Sequence, residues 1–76
     1  MQIHIKTMQG ETFTLDVATN STVGSVKLKL ARHVRVRPDQ QRLIFNGGQI
    51  QDEWIVEDCG ITDGSHVQMI PRLRGD

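Results

Sequence analysis

The opening residues alternate between apolar and polar. Ile3 and Ile5 are interleaved with His4 and Lys6, and after Thr7-Met8-Gln9-Gly10 the alternation resumes, with Phe13, Leu15 and Val17 set against Thr12, Thr14 and Asp16. Side chains of an extended chain point alternately to opposite faces, so each arm carries one apolar and one polar side. Two such arms joined through a glycine-containing turn predict a pair of half-buried strands. The period then changes. Val23, Val26, Leu30 and Val34 are three, four and four residues apart, which is one face of a helix. Thr22 is placed to cap it, its hydroxyl accepting a first-turn N–H that has no partner within the helix. Lys27, Lys29, Arg32, His33, Arg35 and Arg37 fall at or beyond the later turns, where cations complement the negative helix end. Pro38 disfavours helical backbone at Arg37, and Gly24 in the first turn is expected to cost the helix some stability.

A third strand reads over residues 40–45, closed by the turn sequence Asn46-Gly47-Gly48. Residues 49–64 show no period and read as irregular, with Gly60 and Gly64 available for left-handed backbone, and a last strand runs from about Ser65 to Ile70. This order, β-β-α-β-(irregular)-β, predicts an α+β domain in which one helix packs across one face of a mixed sheet.

The same alternation sorts side chains by face. Ile3, Ile5, Phe13, Leu15, Leu43, Val67 and Met69 take the inward phase, which forces Ile44 and Ile70 outward. Met8 lies at the tip of a tight turn, where burial is hard. These apolar side chains without a core position, flanked by Arg42, His66 and Gln68, form a candidate contact patch. Scattered apolar side chains are also ordinary on protein surfaces, so spacing alone leaves the two readings level.

Composition acts mainly by exclusion. The 76 residues suffice for one domain, and a chain this short buries only about 60% of its unfolded surface. Nine Lys and Arg balance nine Asp and Glu, so no net charge draws the chain to nucleic acid or an anionic membrane. The basic run over residues 27–37 is a candidate nucleic-acid contact, but it has no interleaved aromatic residues and helix-end complementation accounts for most of it. No apolar run approaches the roughly 20 residues of a membrane span. A single cysteine, Cys59, cannot form an internal disulfide and fits a reducing compartment. The expectation is a cytoplasmic or nuclear domain. Cys59 has no nucleophile motif around it and reads as a packed thiol rather than a catalytic one. His4, His33 and His66 lack paired ligand spacing, so no metal site and no cofactor are expected.

The run Pro38-Asp39-Gln40-Gln41-Arg42-Leu43-Ile44-Phe45 strongly resembles a strand of ubiquitin. Met1-Gln2-Ile3, Lys6-Thr7, Gly10, Val26-Lys27 and Arg72-Leu73-Arg74-Gly75 resemble it too, without gaps and over the whole chain. The resemblance implies a β-grasp fold over residues 1–72 with a flexible tail over 73–76, and a protein that is recognised by others rather than an enzyme. It implies a protein-binding patch of Met8, Arg42, Ile44, Gly47, Gln68 and Ile70, where ubiquitin presents Leu, Ile, His and Val at the positions of Met8, Ile44, Gln68 and Ile70. Arg72, Leu73, Arg74, Gly75 and Asp76 correspond to the tail that pathway enzymes read. Lys27 and Asp52 resemble a largely buried structural pair. The implied partners are ubiquitin-binding domains or proteasome-type receptors, with ubiquitin-pathway enzymes as a further class, and a monomer is expected.

The departures bear on function. Ubiquitin is activated at the carboxylate of a terminal Gly-Gly, which passes through narrow tunnels suited to residues without side chains. Gly75 is followed here by Asp76, which adds bulk and charge, so the chain as written is expected to be a poor activation substrate unless processing exposes another end. Glu11, Gly48 and Asp63 replace the lysines most used for chain building, leaving Lys6 and Lys29 as candidate acceptors beside Lys27 and the Met1 amine. His4 replaces an aromatic residue of a second ubiquitin surface. Pro71 removes an N–H at the end of the last strand, in a direction where pairing is expected to run out. Arg35 stands where the family favours Gly after the helix, which is expected to cost helix-end stability. Trp54, at a usually polar position, reads either as a cover over the edge of the core or as an anchor for a partner. Three functions follow: non-covalent recognition through Met8, Ile44 and Ile70, conjugation after processing, and nucleic-acid binding through residues 27–37.

Overall fold

A computed structural model of the chain describes residues 1–72. They form strands β1 (Gln2–Lys6) and β2 (Thr12–Asp16), helix α1 (Val23–Leu30), and strands β3 (Gln41–Phe45), β4 (Gly48–Ile50) and β5 (His66–Pro71). Short 3-10 turns at Pro38–Gln40 and Glu57–Cys59 precede β3 and β5. The strands make one sheet in the order β2-β1-β5-β3-β4, parallel between β1 and β5 and antiparallel elsewhere. The mixed sheet with its single helix is the β-grasp arrangement expected. Among the described residues no helix is long and apolar enough to cross a membrane.

The inward phase holds with one adjustment. Ile3, Ile5, Leu15, Leu43, Val67 and Met69 join Val23, Val26 and Leu30 of the helix in one core, closed by Val17, Ile50, Val56 and Ile61. Phe13 is only half-buried. It packs at the rim of the core, its ring stacked on His33 with centroids 5.6 Å apart.

The helix starts where the capping residue places it. Thr22 Oγ1 accepts from the Ser25 N–H at 3.2 Å, satisfying one first-turn donor, and Ser25 Oγ donates to the Thr22 carbonyl at 2.7 Å. Gly24 has a packing reason to be glycine. Its N–H donates to the Asp52 carbonyl at 2.8 Å, and a Cβ there would lie 3.3 Å from that oxygen. The helix is shorter than its apolar face suggested: it ends at Leu30, and Val34 reaches the core from a following turn in which its N–H bonds back to Leu30 at 3.1 Å. That ending corrects the expectation at Arg35. Ala31 closes the helix in right-handed conformation, and the only non-glycine at positive φ among the described residues is Asn46. The exit therefore uses tightened right-handed turns, and no left-handed residue is demanded of Arg35.

The region read as irregular from residue 49 onward begins with a strand. Asn46 (φ 54°) and Gly47 (φ 80°) form a two-residue turn that folds β4 back on β3, pairing Phe45 with Gly48 and Leu43 with Ile50. Three residues are too few for alternation to declare themselves. At the other end of the sheet Pro71 pairs with Gln41, and the Arg72 N–H donates to the Gln40 carbonyl at 2.6 Å, so the ladder to β3 uses the amide on either side of the proline.

Candidate functional site

The face of the sheet away from α1 carries the outward-phase side chains. In the β3–β5 ladder Arg42 is opposite Ile70 and Ile44 opposite Gln68, so the two isoleucines lie diagonally across adjacent strands. Both are half-buried, supported laterally by their neighbours while presenting one side to solvent. Lys6 is level with Gln68 in the parallel β1–β5 ladder. Met8, two residues beyond Lys6, therefore lies in the direction in which β5 reaches Ile70. It is 65% exposed in the β1–β2 turn. Ile44, Gly47, Gln68, Lys6 and His66 line a shallow depression of about 410 Å³ on this face. The fold thus brings Met8, Arg42, Ile44, Gly47, Gln68 and Ile70 to one side, with a flexible thioether at the rim and branched side chains at the centre.

The tail begins at that edge. Arg72 is exposed and anchored through its backbone to Gln40. Leu73, Arg74, Gly75 and Asp76 lie outside the described residues.

The lysines differ in accessibility. Lys6 is exposed on the patch side. Lys29 is exposed along its stem, and its ammonium donates to the Asp16 carbonyl at 2.5 Å. Lys27 is 6% exposed and reaches Asp52 Oδ1 at 2.5 Å. The Lys27 side of the expected pair is buried, while the Asp52 carboxylate is largely in solvent. The Met1 amine is tied to the Val17 carbonyl at 2.8 Å.

Trp54 and Cys59 meet at a second depression of about 600 Å³, lined also by Phe45, Ile50 and Asp58. Trp54 is 47% exposed and stands as an open wall rather than a sealed cover of the core. Cys59 packs against the core rim, and burial pushes its thiol above the ordinary range, with the adjacent Asp58 carboxylate adding to the effect. A neutral, partly enclosed thiol suits packing rather than nucleophilic attack. Leu28 is 62% exposed on the solvent side of α1, as its place in the sequence off the Val23–Val26–Leu30 face implies.

Sheet order, helix placement and the outward patch together define a β-grasp protein of the ubiquitin-like class. The comparison with known proteins agrees: the Ubiquitin family profile matches residues 3–74, and the chain belongs to the ubiquitin family. It is 32% identical over 75 residues to the NEDD8-like protein RUB1 of Saccharomyces cerevisiae, covering 99% of this chain and 97% of that one. It is 33% identical to Ubiquitin-like protein 1 of Schizosaccharomyces pombe, over 99% and 96% of the respective chains. A match at 32% identity to AN1-type zinc finger protein 4 of Mus musculus covers 99% of this chain but 10% of that protein. Relatives therefore include proteins of this length and a segment of a much longer one.

Proposed function

We propose that this protein is a ubiquitin-like interaction module, bound non-covalently by small helical ubiquitin receptors through Met8, Ile44 and Ile70. The observation that carries the reading is the diagonal placement of Ile44 and Ile70 across adjacent strands, on the sheet face that the helix leaves open. A small apolar centre rimmed by Arg42, Lys6 and Gln68 supports weak, fast-exchanging association, as expected of a modest interface. Titration of the labelled chain with a generic helical ubiquitin-binding domain tests it. Amide shifts should centre on residues 8, 44 and 70, and their absence there sinks the proposal.

A second reading, attachment to other proteins, is favoured by Arg72-Leu73-Arg74-Gly75 and by the near end-to-end match to RUB1. Asp76 after Gly75 opposes it, since the added side chain and charge sit where a second glycine is needed. An ATP-dependent thioester assay with activating enzyme, on the chain with and without Asp76, separates the two. Thioester on either form supports attachment; none on both excludes it for the enzymes used.

A further inference from the structure

Three large apolar side chains are exposed among the described residues, and the outer sheet face uses only one of them, Met8. Trp54 is another, and it walls the depression of about 600 Å³ beside β4, the edge strand of the sheet. Phe45 and Ile50, which line it with Trp54, share the alternation phase of Leu43 and oppose that of Ile44. The depression therefore opens apart from the face that carries Ile44 and Ile70. Gly48, opposite Phe45, adds no side chain to fill it.

The indole stands on a fixed backbone. The Trp54 N–H donates to the Gln51 carbonyl at 3.1 Å, and the Trp54 carbonyl accepts from the Val23 N–H at 2.8 Å, at the start of α1. A rigid aromatic side chain on a pinned backbone offers large apolar area with little ordering left to lose on binding.

The charge around it is one-sided. Residues 45–60 hold four of the nine carboxylate side chains of the chain, Asp52, Glu53, Glu57 and Asp58, and none of its nine Lys and Arg. Lys27 reaches in from α1 to pair with Asp52. Glu53, Glu57 and Asp58 are exposed and join no ion pair among the described residues, and Asp58 lines the depression itself. Like-charge repulsion turns away nucleic acid, anionic lipid and acidic peptides, and favours a cationic partner. Eight residues line the depression, against the roughly 20–30 a side of a standard interface between folded proteins, so its size fits a short segment.

We propose that the Trp54 depression is a second docking surface, for an extended basic peptide segment. One large apolar side chain of the segment packs against Trp54, Phe45 and Ile50, and the Lys or Arg residues beside it face Glu53, Glu57 and Asp58. An Arg guanidinium over the indole adds a cation–π contact. The carboxylates are in solvent, so the binding is weak and depends on salt.

The probe is the synthetic peptide acetyl-Gly-Arg-Leu-Lys-Arg-Gly-amide, titrated into the isotope-labelled chain. Two control peptides carry Glu at the three basic positions or Gly in place of Leu. Trp54 is the only tryptophan, so its indole N–H resonance reports this site alone. That resonance and the amides of residues 48–50 and 58 should shift saturably with the basic peptide, and affinity should fall severalfold as ionic strength rises from about 0.01 to 0.15 M. The Gly control should bind severalfold more weakly and the Glu control not at all. Trp54→Ala should weaken binding about tenfold or more, the combined change Glu53→Gln, Glu57→Gln and Asp58→Asn severalfold, and Leu28→Ala not at all. The carboxylate variant alters exposed side chains and keeps the test decisive should Trp54→Ala disturb the fold. No saturable shift up to millimolar peptide, equal binding of the Glu control, or shifts centred on residues 44 and 70 overturns the proposal. So does a Trp54 resonance that moves with protein concentration alone, which would seat a second copy of the chain in the depression.

Discussion

Lys27 and Asp52 form an ion pair of unequal halves, with Nζ 2.5 Å from Oδ1, the lysine side chain 7% exposed and the aspartate side chain 58% exposed. The Lys27 stem fills space between α1 and the segment that carries Asp52, while water has access to the carboxylate. Removing the carboxylate opens the largely buried Lys27 ammonium to the water that already reaches Asp52; removing the stem leaves a void. Asp52→Ala should therefore cost about 1 kcal/mol or less, Lys27→Ala about 2–3 kcal/mol, and Lys27→Met should recover most of the difference. Denaturant midpoints at unchanged slope provide the measurement. An Asp52→Ala cost equal to that of Lys27→Ala would show that charge, not packing, dominates the pair.

The β3–β4 turn gives a sharper contrast between neighbouring glycines. Gly47 has φ +80°, whereas Gly48 is not at positive φ and a Cβ there would meet nothing nearer than the Phe45 carbonyl at 3.9 Å. Gly47→Ala should lose about 1–2 kcal/mol, the cost of holding an L-residue in left-handed backbone. Gly48→Ala should be neutral or stabilising by about 0.5 kcal/mol, because it restricts the unfolded chain at a position with room. Equal effects at the two sites would contradict the turn geometry described here.

Much of this architecture is legible in the residues because a single apolar phase runs through each long element. Ile3 and Ile5, Leu43, Val67 and Met69 could occupy only one face, and that choice expelled Ile44 and Ile70 to the other. β4 was hidden because Gly48-Gln49-Ile50 offers one apolar residue, too little to show a period. The end of α1 is not legible in the spacing because Val34 continues the helical period while reaching the core from a turn. The Trp54 depression is hidden for a different reason. Spacing along the chain carries no trace of a hollow that Phe45 and Ile50 share with a tryptophan from a later loop, which only the assembled sheet determines.

Recognition and stability should separate on the outer face. Met8 is 65% exposed, so Met8→Ala should change stability by less than about 0.5 kcal/mol. Ile44 is half-buried, and Ile44→Ala should cost about 1 kcal/mol while leaving the chain folded. Receptor affinity should fall severalfold for the first and about tenfold or more for the second, central residues of a small interface contributing most. Calorimetry with one helical receptor domain, alongside thermal melts, reads both quantities. Unchanged affinity in Ile44→Ala would move the contact surface elsewhere, with the Trp54 depression the next place to look.

The Cys59 thiol should report its burial through pH. Desolvation is the larger cause of its upward shift and the Asp58 carboxylate the smaller, so the folded chain holds the thiol proton more tightly than the unfolded chain does. The stability this provides is fully present below the unfolded thiol's value, about 8.5, and is lost as pH rises through the higher folded value. Alkylation by iodoacetamide should be slow near neutrality, with a pH midpoint above that of the same chain in denaturant. Asp58→Asn should lower that midpoint only part of the way, because burial remains. Cys59→Ser should remove the corresponding loss of stability at alkaline pH. A folded-state midpoint at or below the denatured one would mean that the thiol is solvated, and that the depression beside Trp54 reaches further into the domain than its lining suggests.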